Sequence, residues 1–134
     1  MGKVVLVCIG GAIGSGLRYL VATWAAEAFG PGFPRGTLIE NVDGSFLVAV
    51  IIDASLRTTA VSATLRLFLT TGVMGGFTTY SSFNYETTRL LEDGSVGLAL
   101  LNISMTVLGC MGAGILGLVS VRLLLNFAAS LSAR

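Results

Sequence analysis

An apolar segment in the middle of the chain is interrupted by a stretch rich in glycine and hydroxyl side chains. Residues 70–83 read Thr-Thr-Gly-Val-Met-Gly-Gly-Phe-Thr-Thr-Tyr-Ser-Ser-Phe, with three glycines. In hydrocarbon every peptide N–H and C=O needs a hydrogen-bond partner, so irregular backbone survives there only inside protein or beside a wet cavity. The stretch therefore predicts a helix break whose backbone dipoles face an ion or a polar solute.

The composition supports a membrane location for this break. Hydrophobic residues make up 54% of the 134 residues and charged residues 11%, whereas a soluble domain carries about 25% charged residues. One bilayer crossing takes about 20 apolar residues. We therefore predict an all-α membrane protein that forms a single domain over residues 1–134. Its four transmembrane helices are expected at residues 4–29, 37–56, 65–91 and 96–125, the third being broken in the middle.

Four crossings place both chain ends on the same side of the membrane. The basic residues expected on that side are Lys3, Arg57, Arg66, Arg122 and Arg134, against Arg35 and Arg89 on the other. Cytoplasmic loops carry the excess of lysine and arginine. This favours cytoplasmic chain ends but leaves insertion in both orientations open. The tail at residues 126–134 is expected to fray.

Several kinds of chemistry are excluded by the residues present. The chain has no histidine, so neither a Ser/His/Asp nor a Cys/His catalytic set can form. No Gly-Lys-Ser/Thr follows the glycines of the central stretch, so a phosphate-binding loop is not indicated. Cys8 and Cys110 each lie in an apolar run and have no metal-ligand spacing. A net charge of +1 offers no basic surface to nucleic acid. We predict that the chain is not an enzyme.

Small residues form stripes on the first and fourth predicted helices. Gly10 and Gly14 lie one turn apart on the first, and Gly109 to Gly117 supply the second stripe. Such stripes let helix backbones approach closely, and helix packing alone is the favoured explanation of the glycines on the first helix. Four short helices enclose little volume, so we expect a pathway between chains, with these stripes as candidate subunit contacts.

Arg18 is costly within a span unless it pairs, snorkels or faces water, and a structural role and an ion-vestibule role both remain open.

Polar residues on the second and fourth helices are further candidates for a functional site. Asn41 carries an amide that suits a solvated pathway or an interhelical hydrogen bond. Glu40 and Asp43 are functional candidates because ionisable residues are rare at membrane depth. A place near the interface, or a protonated and hydrogen-bonded state, explains them equally well. Thr106 and Cys110 share one face of the fourth helix with an asparagine, either as a pathway or as interhelical hydrogen-bonding groups.

Three motifs in order resemble one known family. They are Gly-Gly-x-x-Gly-x-x-x-Arg-Tyr at residues 10–19, Gly-Thr-Leu-x-x-Asn-x-x-Gly at residues 36–44 and Gly-x-x-Gly-Gly-x-Thr-Thr-aromatic-Ser-x-Phe at residues 72–83. Together they resemble the small bacterial fluoride channels of the CrcB/Fluc family, over nearly all four predicted helices. The resemblance implies a multi-pass protein of the bacterial inner membrane that exports fluoride passively and protects the cell from its toxicity.

The resemblance also implies an assembly and a set of site residues. The assembly is an antiparallel, dual-topology homodimer with two narrow pores along the subunit interface. A structural sodium ion at its centre would be held by backbone carbonyls of Gly75 and Thr78. The pore wall would include Tyr80, Phe83 and Asn41. The vestibule arginine would be Arg18, and the polar track would comprise Thr37, Ser82, Glu86, Thr106 and Cys110.

Four residues depart from the family pattern. Tyr80 stands at a usual phenylalanine and Cys110 at a usual serine. Glu40 and Asp43 flank Asn41 where apolar residues are usual. In a two-fold dimer each acid occurs twice, and four carboxylates near the axis would suit cations. The alternative hypothesis is therefore a sodium-like cation channel of the same fold that uses Glu40 and Asp43.

Overall fold

The computed structural model describes residues 1–132 and is helical throughout, with no strand in that range. Arg134, one of the basic residues counted in predicting the orientation in the membrane, lies outside the described residues. The helices are α1 Gly2–Phe29, α2 Arg35–Arg57, α3 Ala63–Leu67, a π-helical segment Phe68–Met74, α4 Gly75–Phe77, α5 Tyr80–Glu92 and α6 Val96–Ser132. Among them, Gly2–Phe29 and Val96–Leu131 are long and apolar enough to cross a membrane. α2 is long enough as well, but it carries five charged side chains.

The predicted third helix consists of several short pieces, and its break is narrower than expected. The glycine-rich part does not leave the helical conformation. Its first residues form the π-helical segment, which has wider turns, and the residues after them form the short α4. Only Thr78 and Thr79 are extended, with φ/ψ of −82°/153° and −150°/113°. π-Helical turns are rare insertions that occur mostly at functional sites. The interruption therefore lies at the hydroxyl residues that follow the glycines.

The small residues of α1 pack against the π-helical segment of the same chain. A Cβ atom added at Gly10 would come within 2.9 Å of the Cα of Gly72, and one added at Gly14 would collide with the carbonyl oxygen of Val73. On α6, a Cβ at Gly117 would lie 2.7 Å from the carbonyl oxygen of Phe46 in α2. These three glycines therefore bring helix backbones together within one subunit, as the helix-packing interpretation of the stripes predicts. A role in subunit contacts stays a prediction.

This packing predicts that Gly14→Ala destabilises the folded protein. The added methyl group meets the Val73 carbonyl, and overpacking of this kind costs roughly 2 kcal/mol. Gly16→Ala is the matched control, because nothing lies within 4 Å of its added Cβ and alanine favours helix by about 1 kcal/mol. Thermal unfolding of the detergent-solubilised proteins measures the difference. Equal melting temperatures for the two variants would contradict the close α1 contact.

The fourth helix continues further than predicted. α6 runs to Ser132, so residues 126–132 are helical and the expected fraying of this tail is wrong over that range. At 1.5 Å per residue, its 37 residues span about 55 Å, well beyond a hydrocarbon core of about 30 Å.

Near its middle α6 packs along α2, which in turn contacts α1 and α5. α2 is therefore the central helix, and its polar residues lie beside the break.

Candidate functional site

The break is held open by the side-chain amide of Asn41. Its Oδ1 accepts a hydrogen bond of 2.8 Å from the backbone N–H of Thr79, and its Nδ2 donates one of 3.0 Å to the carbonyl oxygen of the same residue. The side chain thus pairs with both backbone groups of one extended residue, as a neighbouring β-strand would. Gly44, one turn further along α2, lets Thr78 lie directly against the helix, since a Cβ there would collide with its methyl group.

Two carbonyl groups lose their helical donors at the break. A continuous helix would pair the Gly75 carbonyl with the N–H of Thr79, which donates to Asn41 instead. It would pair the Thr78 carbonyl with the N–H of Ser82, which donates to the Thr79 hydroxyl at 3.2 Å. These are the two carbonyls predicted for the cation site. Gly75 is exposed and Thr78 is partly buried, so the backbone at this end of the break lies at or near the surface of the single chain.

A cavity of about 570 Å³ opens beside the break, between α2, α5 and α6. It brings together five residues predicted for the pore, namely Asn41, Tyr80, Phe83, Thr106 and Cys110. The hydroxyl oxygen of Thr106 is buried and has no hydrogen-bond partner among the described residues. A buried polar group without a partner costs free energy. This hydroxyl is therefore an unpaired hydrogen-bonding group that is buried within the wall of the cavity.

The two aromatic rings of the cavity form a tilted pair. The ring centroids of Tyr80 and Phe83 are 5.7 Å apart, and the ring planes are inclined by 54°. Phe83 is buried, with 8% of its surface exposed, whereas Tyr80 is 78% exposed. An aromatic ring carries a positive edge and a negative face. Phe83 therefore belongs to the inner wall of the cavity, and Tyr80 lies at its outer surface.

The remaining polar-track residues do not line this cavity. Thr37 is buried and donates a hydrogen bond of 2.8 Å to Oε1 of Glu86. Both residues line a different cavity of about 360 Å³, next to the turn at residues 30–34. Ser82 lies in the first turn of α5, where its hydroxyl accepts a 3.1 Å hydrogen bond from the hydroxyl of Thr79. The predicted track thus forms two separate groups in the single chain.

Arg18, Glu40 and Asp43 lie outside the cavity lining as well. Glu40 is only 1% exposed, and no group in residues 1–132 forms a hydrogen bond with its Oε1. The charged side chains that act on it are Arg18, which attracts it, and Glu86, which repels it. Asp43 is exposed. Within residues 1–132 no three His, Cys, Asp or Glu side chains lie close enough to hold a metal ion. The proposed acidic cation site is therefore not formed by one chain.

Sequence reasoning missed Thr79. This residue is 6% exposed, pairs with Asn41 through its backbone, and caps α5 through its hydroxyl. A signal was present, because a Thr three residues before the Ser82 amide fits the N-terminal capping pattern. The pairing with Asn41 spans 38 residues, and no local pattern indicates such a contact.

The comparisons with known proteins agree on one family. Residues 5–118 match the family model described as "CrcB-like protein, Camphor Resistance (CrcB)". A relative from Anaeromyxobacter dehalogenans, named fluoride-specific ion channel FluC, is 58% identical over 122 residues, which is 91% of this chain and 97% of the relative. Proteins of the same name from Sorangium cellulosum and Clostridium perfringens are 52% and 46% identical, over 87% and 78% of this chain and 92% and 81% of their own lengths.

The resemblance inferred from the three motifs is thereby confirmed. The match covers α1, α2, the π-helical segment, the break and α5, together with most of α6. It includes the cavity beside the break and both carbonyls that lack helical donors. The chain belongs to the CrcB family of membrane proteins.

Proposed function

We propose that this chain is a subunit of a fluoride-selective channel through which fluoride leaves the cell passively. The observation that carries the proposal is the cavity beside the break, where a free hydroxyl, an amide and an aromatic ring meet. Relatives up to 58% identical over most of their length are named as fluoride-specific channels. A channel catalyses no covalent reaction, in agreement with the prediction from the absent histidine that the chain is not an enzyme.

The cavity offers fluoride groups that replace its hydration shell. The Thr106 hydroxyl has no partner among the described residues, and rotation of its side chain would let it donate to an ion in the cavity. The Asn41 amide nitrogen carries two N–H groups, of which one bonds to Thr79 and the other is available to the anion. The positive edge of the Phe83 ring attracts an anion without a formal charge. Cys110 adds a weaker S–H donor one turn beyond Thr106. Together these groups form one wall of a narrow pore.

A second, antiparallel copy of the chain completes the pore. The break exposes Gly75 and the ring of Tyr80 in the single subunit. Backbone carbonyls without partners do not face lipid, so another protein surface must cover them. In a two-fold dimer that surface is the break of the partner, and each of the two cavities is closed by the opposite subunit. All four predicted spans cross the bacterial inner membrane in this assembly.

A structural sodium ion fits the break. Its expected ligands are the carbonyl oxygens of Gly75 and Thr78, and both lack helical donors because Asn41 and Thr79 take the relevant N–H groups. Two copies related by a two-fold axis would supply four carbonyl oxygens, which suit a hard cation. Sodium at this point would neutralise carbonyl dipoles that face each other across the interface and would join the two subunits.

The acidic residues beside Asn41 are assigned no role in conduction. Glu40 is buried beside Arg18 and Glu86 and does not line the cavity, nor does Asp43. The relatives are named for fluoride. The cation-channel alternative is therefore not retained.

We expect the double variant Glu40→Leu with Asp43→Asn to keep fluoride efflux within about twofold of the unmodified channel. Glu40 is buried and its Oε1 has no hydrogen-bond partner among the described residues, so a leucine of similar volume removes a costly buried polar group, and neither residue lines the cavity. Efflux from proteoliposomes, followed with a fluoride electrode, measures this. A sodium current that is present in the unmodified protein and lost in the variant would instead support cation conduction.

A further inference from the structure

A buried hydrogen-bond relay connects α6 to the backbone of Phe83. Asn102 in α6 is only 1% exposed, and its Nδ2 donates a hydrogen bond of 2.9 Å to the hydroxyl oxygen of Thr87 in α5. The Thr87 hydroxyl, itself 7% exposed, donates one of 2.7 Å to the carbonyl oxygen of Phe83. The two bonds run in one direction, so each polarises the next.

The relay restrains the rotation of α5 about its axis. α5 follows two extended residues, Thr79 caps its first turn, and Glu86 joins it to α2 through Thr37. The bond from Asn102 to Thr87 joins it to α6. Rotation of this 13-residue helix about its axis would swing the Phe83 ring out of the cavity. Asn102 opposes that rotation, because turning α5 would separate two buried polar groups from their partners, and such groups are costly when unpaired.

We propose that Asn102 and Thr87 are positioning residues that hold the Phe83 ring edge at the pore. The proposal rests on the proposed function, since it assumes that the Phe83 ring faces fluoride. It assigns Thr87 a task beyond helix stability. Thr88 provides the contrast, because its hydroxyl makes the same bond to the residue four positions earlier, 2.9 Å to the Asn84 carbonyl, but in an exposed position.

The experiment compares fluoride efflux from proteoliposomes for the unmodified dimer and single variants. Thr87→Val keeps the shape of the side chain but removes its hydrogen bonds to Asn102 and to the Phe83 carbonyl. We expect it to lower efflux about tenfold, because the buried Asn102 amide is then left without its acceptor. Thr87→Ser keeps the hydroxyl and should restore efflux to within about twofold of the unmodified channel. Thr88→Val is the matched control and should leave efflux unchanged. Normal efflux for Thr87→Val would overturn the proposal.

A double-mutant cycle with Phe83→Ile separates positioning from general stability. If Thr87 acts through the Phe83 ring, adding Thr87→Val to Phe83→Ile should change efflux by less than about twofold, because coupled residues are not additive. A further tenfold loss would mean that Thr87 acts elsewhere and would overturn the proposal. Should Thr87→Val yield no folded dimer, Asn102→Leu takes its place in the same cycle, with the same two outcomes.

Failure of this inference and failure of the proposed function are distinguishable. If Phe83→Ile alone has normal fluoride efflux, the pore assignment itself is wrong. If Phe83→Ile impairs efflux while both Thr87→Val and Asn102→Leu leave it normal, the pore assignment stands and only the positioning role is refuted.

Discussion

Replacing Asn41 by aspartate should reduce fluoride efflux about a hundredfold or more, since a unit negative charge about 4 Å from an anion opposes it by roughly 4 kcal/mol at an effective dielectric of 20. The substitution also removes the donor to the Thr79 carbonyl, while the acceptor for the Thr79 N–H remains. The variant side chain thus keeps one of the two hydrogen bonds to Thr79 and places a negative charge at the cavity wall. Proteoliposome efflux measures the loss.

Asn126→Asp is the control for this prediction. It introduces the same change of amide to carboxylate at an exposed position near the end of α6, and fluoride efflux should be unaffected. Size-exclusion chromatography of both variants tests whether the proposed dimer forms. Efflux near the normal rate for a correctly assembled Asn41→Asp variant would show that fluoride does not pass this wall of the cavity.

Phe83→Ile is expected to lower fluoride efflux about tenfold or more, because the aliphatic side chain has no positive ring edge to face the anion. The side chain stays apolar and buried, so the fold should change little. Phe83 lies in the cavity at 5.7 Å from the Tyr80 ring, and its loss also removes that aromatic pair. Efflux of fluoride relative to chloride measures both rate and selectivity.

Phe127→Ile is the matched control, because it makes the same substitution at a phenylalanine that is 64% exposed at the far end of α6. Its efflux should equal that of the unmodified channel. Equal efflux for Phe83→Ile and Phe127→Ile would contradict the assignment of the Phe83 ring to the pore.

The helical architecture was predictable because it depends on local properties. Long apolar runs, and the glycine–proline turn that follows Phe29, indicate the helix limits, and the structure begins α1 and α2 within two residues of the predicted starts. The break was predicted in the correct stretch but over too many residues. Gly72 lies in the π-helical segment and Gly75 and Gly76 in α4, and the helical conformation ends only at Thr78 and Thr79.

Contacts between distant parts of the chain were not predictable in the same way. Small residues at Gly10 and Gly14 indicate a close approach of backbones but not the partner, which is the π-helical segment of the same subunit. The amide of Asn41 indicates a hydrogen bond, but its pairing with the Thr79 peptide depends on how α2 packs beside the break. The polar-track residues share a pattern in sequence, yet Thr37 and Glu86 lie apart from the cavity that contains Thr106.

The conclusion from the cavity and the relatives is that the ion conducted by this channel is fluoride. Its most direct test uses proteoliposomes that contain the purified protein, loaded with potassium fluoride and supplied with an ionophore that lets potassium balance the charge. A fluoride electrode outside should record rapid efflux, and the same vesicles loaded with potassium chloride should release little chloride. In a parallel experiment a sodium gradient should drive no current. A sodium current without fluoride efflux would contradict the account.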